Sequence, residues 1–242
     1  MKTFLLFLCF IAVVGAQNAT CTSDAANASK QCYLTFLNNF GFSQIPSYQD
    51  FLTALQNMVI AGGIQGTQNT CNWFNTLNAC LGPAIGGCNS TMGYQQILGL
   101  PFTDSEEYFL FYISERFECN EGYNSLLKNY YCFISVEQYH EDEVMQCSDN
   151  LTSSLNNNPF NCSYISDYVT CATNVYQKYC GTSGAGFVCT ATSLEMEAIL
   201  PQCTATMPMC PSYNKAVPFH NTNSHIGFVP RFKFLKRGIL KN

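Results

Sequence analysis

Apolar residues recur at helical spacing along most of this chain. Tyr33, Phe36, Leu37 and Phe40 fall at i, i+3, i+4 and i+7, which predicts one helical face. Gly41 stands where a C-terminal cap belongs. Ile45-Pro46 reads as a connector. A second helix is predicted from Ser47, burying Phe51, Leu52, Leu55, Met58 and Val59 and stopping at Gly62-Gly63, with GIQGTQNT as a loop. A third, from Cys71 to about Leu81, carries Trp73 and ends at Gly82-Pro83. The run TDSEEYFLFYISERF pairs Thr103 with Glu106 in capping-box spacing and puts Phe109, Tyr112, Ile113 and Phe117 on a wide apolar face.

The later chain follows the same plan. Asn124 is a predicted cap for a helix carrying Leu126, Leu127, Tyr130, Tyr131 and Ile134, and the turn-like NNNP precedes Phe160. Ile165, Val169, Ala172 and Tyr176 stripe one side of a further helix. Thr192 and Glu195 form a second capping-box pattern, and Pro201 ends it. Period-two alternation is nearly absent, so the predicted fold class is all-α. Nineteen Phe and fourteen Tyr, mostly at these helical spacings, supply the predicted core.

Cysteine spacing adds a second pattern. Cys71, Cys80 and Cys88 bracket CNWFNTLNAC-LGPAIGGC, and Cys171, Cys180 and Cys189 bracket CATNVYQKYC-GTSGAGFVC. Cys71 and Cys171 stand 100 residues apart, as do Cys32 and Cys132. The recurrence predicts two tandem, disulfide-stapled helical modules, 17–121 and 122–212. A signal peptide at 1–16 precedes them and a flexible basic tail at 213–242 follows.

Lys2, the apolar run Phe4 to Val14 and the small residues to Ala16 describe a secretory leader. That run falls short of the roughly 20 residues a spanning helix needs, so no transmembrane segment is predicted. Fourteen cysteines remain besides Cys9, an even number that reads as a disulfide framework in a secreted chain. They are Cys21, Cys32, Cys71, Cys80, Cys88, Cys119, Cys132, Cys147, Cys162, Cys171, Cys180, Cys189, Cys203 and Cys210. Zinc would want close C-x2-C pairs with histidines in step, and none occurs.

Helix geometry limits the pairing. Nine residues rise about 13.5 Å along a helix, whereas bridged Cα atoms lie within roughly 7 Å. Cys71 cannot then bond Cys80, nor Cys162 bond Cys171, nor Cys171 bond Cys180. Successive ladder cysteines also face opposite ways, so each ladder helix must be clamped from both sides. Cys80 with Cys88 and Cys180 with Cys189 stay open if the glycine-rich stretches turn back. Cys147 and Cys162 enclose NNNP and could staple a hairpin. Cutting after Cys119 leaves six cysteines before and eight after, which suits two modules closed by their own bridges.

Five sequons, at Asn18, Asn27, Asn89, Asn150 and Asn161, mark candidate N-glycosylation sites that must face solvent. Charge is unevenly spread. Sixteen acids against Lys30, Arg116, Lys128, Lys178 and Lys215 leave the stretch from Gln17 to Pro230 at −11, which argues against nucleic acid as a partner. The closing RFKFLKRGILKN has five bases and no acid. It is a candidate contact for anionic surfaces, and Lys236-Arg237 a candidate processing site.

Candidate chemistry is sparse. His140 precedes Glu141-Asp142-Glu143, and His220 and His225 sit in one loop-like stretch; a solvated surface is the expected setting for all three. Ser183 lies in Gly181-Thr-Ser-Gly-Ala185-Gly186, which misses the G-x-S-x-G elbow at its fifth place. Ser183-Gly184-Ala185-Gly186 matches a Ser-Gly-x-Gly glycosaminoglycan-attachment pattern, with a glycine hairpin as the plainer reading. No catalytic constellation, metal set or cofactor motif is predicted.

The leader, the repeated C-x8-C spacing, the helical pattern and the closing Leu200-Pro-x-Cys203 resemble the secreted cysteine-rich families of nematodes, comprising domains of unknown function and the related chondroitin-proteoglycan type. The likeness covers about Cys21 to Cys210. It implies an extracellular, glycosylated, non-enzymatic protein, sometimes matrix- or eggshell-associated, and supplies no catalytic residues. The chain lacks clustered acid-flanked Ser-Gly sites. The expectation is a structural or interaction protein outside the cell, with an unknown protein or polysaccharide as partner. The alternative is a carrier of a lipid or other apolar ligand, and a secreted hydrolase is the third reading.

Overall fold

The computed structural model describes residues 21–157 and 159–213. The expected leader with Asn18, and the tail with His220, His225, Lys236 and Arg237, lie outside them. Among the described residues there are seven α-helices, two 3-10 helices and no strand. The all-α expectation holds. None of these helices is long and apolar enough to cross a membrane.

Helix α1 (Ser23–Asn38) starts at Thr22, whose hydroxyl accepts the Ala25 N–H at 3.2 Å, and buries Tyr33, Phe36 and Leu37. Helix α2 (Tyr48–Leu81) starts at Ser47 as predicted, the serine oxygen accepting from Asp50 N–H. The predicted stop at Gly62-Gly63 is a sharp corner: Gly63 adopts φ 57°, ψ −139°, and a Cβ on Gly66 would lie 3.0 Å from Val59 Cα. GIQGTQNT, predicted as a loop, is helical beyond that corner. Its Thr67 and Thr70 hydroxyls donate to carbonyls four residues back, so the buried polar side chains of this stretch are satisfied within the helix itself.

A 3-10 turn (Gly82–Gly87) leads to α3 (Thr91–Leu98), capped by Ser90, and then to α4 (Phe102–Glu118). The capping box predicted from Thr103 and Glu106 does not form. Pro101 occupies the cap position, and Asp104 instead accepts the Tyr48 N–H at 2.9 Å. Asn124 likewise is no cap, because α5 (Tyr123–Tyr139) begins one residue earlier behind Gly122. Helix α6 (Glu141–Asn157) follows.

Helix α7 (Cys162–Ile199) bends at Gly181, with φ 66°, and ends before a 3-10 turn (Pro201–Thr206). The glycine-rich stretch after Cys180 is helix, not hairpin. Its small residues permit close packing: a Cβ on Gly184 would sit 2.4 Å from Cys180 Cβ, and one on Gly186 would sit 2.2 Å from the Pro211 carbonyl oxygen. Thr192 and Glu195, predicted as a capping box, are interior α7 residues.

All fourteen cysteines of residues 21–210 pair. The bridges are Cys21–Cys88, Cys32–Cys80, Cys71–Cys119, Cys132–Cys180, Cys147–Cys171, Cys162–Cys203 and Cys189–Cys210, with Cα separations of 4.4–5.8 Å. None of the pairs excluded by helix rise occurs. Ladder helices are held from different sides, as expected: α2 is tied to α1 through Cys80 and to α4 through Cys71. Neither Cys80–Cys88 nor Cys180–Cys189 forms, and Cys147 and Cys162 part to different partners. Cys180 and Cys189 stand apart because the stretch between them is helix within α7, while Cys88 turns instead to Cys21 ahead of α1.

Cys32–Cys80 and Cys132–Cys180 each span 48 residues, 100 positions apart. The correspondence stops there, since Cys71 bonds forward to Cys119 but Cys171 bonds back to Cys147. No bridge joins residues before 120 to residues after 131, yet the apolar interior is continuous across that point. Phe117 packs on Phe187 with centroids 5.2 Å apart, and Phe187 stacks on Phe133 at 5.2 Å. Helix α4 lies against α2, α3 and α7, and α7 also receives α5 and α6.

Candidate functional site

The seam where α4 meets the last turns of α7 opens into a groove of about 410 Å³. Phe109, Ile113 and Phe117 recur on one α4 face and form its floor, with Leu194 and Ala198 of α7 opposite. Arg116, Glu121 and Glu197 supply the charged rim, and Asn89, just ahead of α3, completes the wall. The floor residues are apolar because the same α4 stripe packs inward on both sides: Phe109 against Tyr94 at 5.4 Å and Phe117 against Phe187. The arrangement can hold a ligand with an apolar face and hydroxyl or charged edges.

Next along the chain from the lining residues Ile113 and Leu194 stands a buried polar pair. The Ser114 hydroxyl donates to Glu195 Oε1. Burial pushes the Glu195 carboxyl up to about 7, with the serine hydrogen bond opposing the shift. Glu106, also on α4, is pushed up to about 7 by burial and by the neighbouring Glu107 charge. The sequence pattern assigned both glutamates to capping boxes, and neither is used so: both are buried residues within their helices, since nothing local marks a glutamate on a helix as inward-facing.

Ser183, on α7, is buried (1% exposed) against α5. Its oxygen accepts from Asn129 Nδ2 at 3.1 Å, and its hydroxyl donates to the Tyr213 carbonyl at 3.0 Å. The hydroxyl thus ties the end of the described chain to the core and offers no face to a glycosyltransferase in the folded protein. Tyr213 in turn packs edge-on against Phe117 at 5.3 Å, so the body runs through the first residue assigned to the tail.

His140 stacks on Tyr179 with ring centroids 3.6 Å apart, and its Nδ1 lies 3.7 Å from Glu143. Glu143 also takes hydrogen bonds from Tyr179 and from Lys178 at 2.9 Å. The Tyr179 hydrogen bond first, then Lys178, holds its carboxyl below the ordinary range. This is a self-satisfied surface cluster beside a second, shallower hollow of about 460 Å³ that also includes Asp167 and Cys171. Ser183 lies elsewhere, inside the core, so the two candidate groups do not meet.

Cys71, Cys119 and Glu115 bring two sulfurs and a carboxylate together, but the sulfurs are bonded to each other. A disulfide has no thiolate to give a metal. Asn27, Asn89, Asn150 and Asn161 are all exposed, on α1, before α3, on α6 and at the start of α7. Asn161 also caps α7, its Oδ1 accepting from Ser163 N–H at 3.0 Å. Comparison with protein-family models, with curated proteins and with solved structures found no match for this chain.

Proposed function

We propose that this chain is a secreted, N-glycosylated, non-enzymatic protein that works outside the cell by presenting a rigid helical surface to a protein or polysaccharide partner. One observation carries the reading: every cysteine between residues 21 and 210 is in a bridge. Seven bridges persist where the surroundings oxidise thiols, and a reducing cytosol would not keep them. The exposure of Asn27, Asn89, Asn150 and Asn161 is what glycan transfer requires. The resemblance to nematode cysteine-rich secreted proteins points the same way.

The non-enzymatic part rests on where the polar groups go. Ser183 is spent on Asn129 and Tyr213, Glu195 on Ser114, and His140 sits in a stacked surface cluster away from both. Carriage of an apolar ligand would use the groove between α4 and α7. Sites built for such cargo bury roughly 70–90% of it, whereas this groove is open along one side, which favours surface interaction. The five bases after Pro230 are proposed to add contact with anionic matrix or membrane.

Secretion from a eukaryotic host tests the reading. The expected product starts near Gln17, carries hexosamine, and shows no free thiol until reduced. Binding to heparin or anionic vesicles is expected to fall when residues 231–242 are removed. Free thiols in native material, or intracellular retention of the unprocessed chain, would overturn the secreted reading. A co-purifying lipid would replace interaction with carriage.

A further inference from the structure

We infer that the groove between α4 and α7 is covered by an N-linked glycan carried on Asn89, the glycan's sugar rings lying on the apolar floor. The inference rests on the secreted, glycosylated reading and adds where one glycan sits and what it does there. Asn89 belongs to the sequon Asn89-Ser90-Thr91, is exposed, and is itself part of the groove wall. The sequons at Asn27, Asn150 and Asn161 lie on α1, α6 and the start of α7, and none of those asparagines lines the groove. An occupant tethered at Asn89 therefore reaches the floor without crossing open surface.

The tether is well held. Cys88 is fully buried and bonded to Cys21, and the Ser90 N–H donates to the Cys88 carbonyl at 2.9 Å. Gly93 packs so closely that a Cβ there would stand 2.1 Å from that carbonyl oxygen. With the backbone on both sides of Asn89 pinned, the point from which a glycan leaves is fixed relative to the groove. The floor suits it chemically. Sugar rings present C–H faces that pack on Ile113 and Leu194, while hydroxyls reach Arg116, Glu121 and Glu197 at the rim.

The covalent step is an ordinary group transfer. Asn89 Nδ2 displaces the diphosphate from the anomeric carbon of a polyprenyl-diphosphate oligosaccharide. The C–N bond forms as the C–O bond breaks, the amide proton leaves with the released diphosphate, and nothing is oxidised.

The full chain secreted from a glycosylating host provides the test, alongside Asn89→Gln, Thr91→Ala and wild-type protein stripped by a peptide amidase under native conditions. Ser90 is left intact because it caps α3. Peptide mass reads occupancy. Hydroxyl-radical labelling of Ile113 and Leu194, and carboxyl labelling of Glu121 and Glu197, read cover. Rates at these four positions are expected to rise severalfold when the glycan is absent. Exposed Tyr131 should label equally in all samples. An unmodified Asn89, equal rates throughout, or a groove still protected in the unglycosylated variants by a lipid or by residues 231–242 would each overturn the inference. Glycans at Asn27, Asn150 or Asn161 without one at Asn89 would do so while leaving the secreted reading intact. Absence of any glycan, or free thiols, would remove that reading as well.

Discussion

Ser114 and Glu195 meet across the seam between α4 and α7, the serine hydroxyl donating to a buried carboxyl that lies 81 residues further along the chain. Burial raises the Glu195 pKa to about 7 from an ordinary 4.5, so the folded protein keeps a proton that the unfolded chain has released. Folded stability from this group is therefore complete below about 4.5 and is lost as pH rises through about 7. Glu106 acts in the same sense, with burial as its main cause. The urea midpoint should fall between pH 5 and pH 8. Glu195→Gln, which keeps an acceptor for Ser114, should roughly halve that fall, since Glu106 supplies the rest. A slope untouched by the substitution would refute the assignment.

How legible this was in the sequence depends on which physical signal was local. Helix faces such as Tyr33, Phe36 and Leu37 declare themselves within two turns, and the cap at Ser47 within one. Nine-residue cysteine spacing excluded three pairings because helix rise is a fixed length. The glycines misled. Gly63 and Gly181 are genuine breaks with positive φ, whereas Gly184 and Gly186 serve close contact with Cys180 and Pro211. Both uses look alike without knowing what packs opposite. The groove joins Asn89, α4 and α7, segments far apart in sequence, so no window contains it.

Helix α2 allows a paired test of that distinction. Gly62 is exposed, keeps an ordinary φ, and a Cβ there would meet nothing within 4 Å. Gly62→Ala should stabilise the fold by about 0.5–1 kcal/mol, because alanine is the better helix former and narrows the unfolded ensemble. Gly63 has equal room but φ 57° and ψ −139°, so Gly63→Ala should destabilise by about 1–3 kcal/mol through backbone strain alone. Chemical denaturation of the two variants checks the opposite signs. Destabilisation of similar size in both would mean the corner is not where the strain lies.

Between α1 and α3 the Tyr33 hydroxyl donates to the Tyr94 hydroxyl at 2.8 Å, with both rings fully buried. Burial raises both phenols, so neither ionises near neutral pH. Tyr33→Phe and Tyr94→Phe should each cost about 1–2 kcal/mol, since each leaves a buried hydroxyl without this partner. The double variant should cost less than the sum, with a coupling of about 1 kcal/mol in a mutant cycle. Strict additivity would show that the two hydroxyls do not depend on each other.

The last described segment is held by Cys189–Cys210, by the Ser183 hydroxyl on the Tyr213 carbonyl, and by Tyr213 against Phe117. The bridge closes a loop of 21 residues, for which restriction of the unfolded chain is worth about 3 kcal/mol. Replacing both cysteines by alanine should cost that order of stability and expose the chain between Met207 and Tyr213 to protease. Gly186→Ala probes the same segment without touching sulfur. Its methyl would meet the Pro211 carbonyl at 2.2 Å, and because the neighbour is backbone, the segment must move. The gain in helix propensity, about 1 kcal/mol, should be outweighed. Faster cleavage at 207–213 with the bridge intact is the expected result. A Gly186→Ala protein as resistant as wild type would mean the segment is not seated on α7.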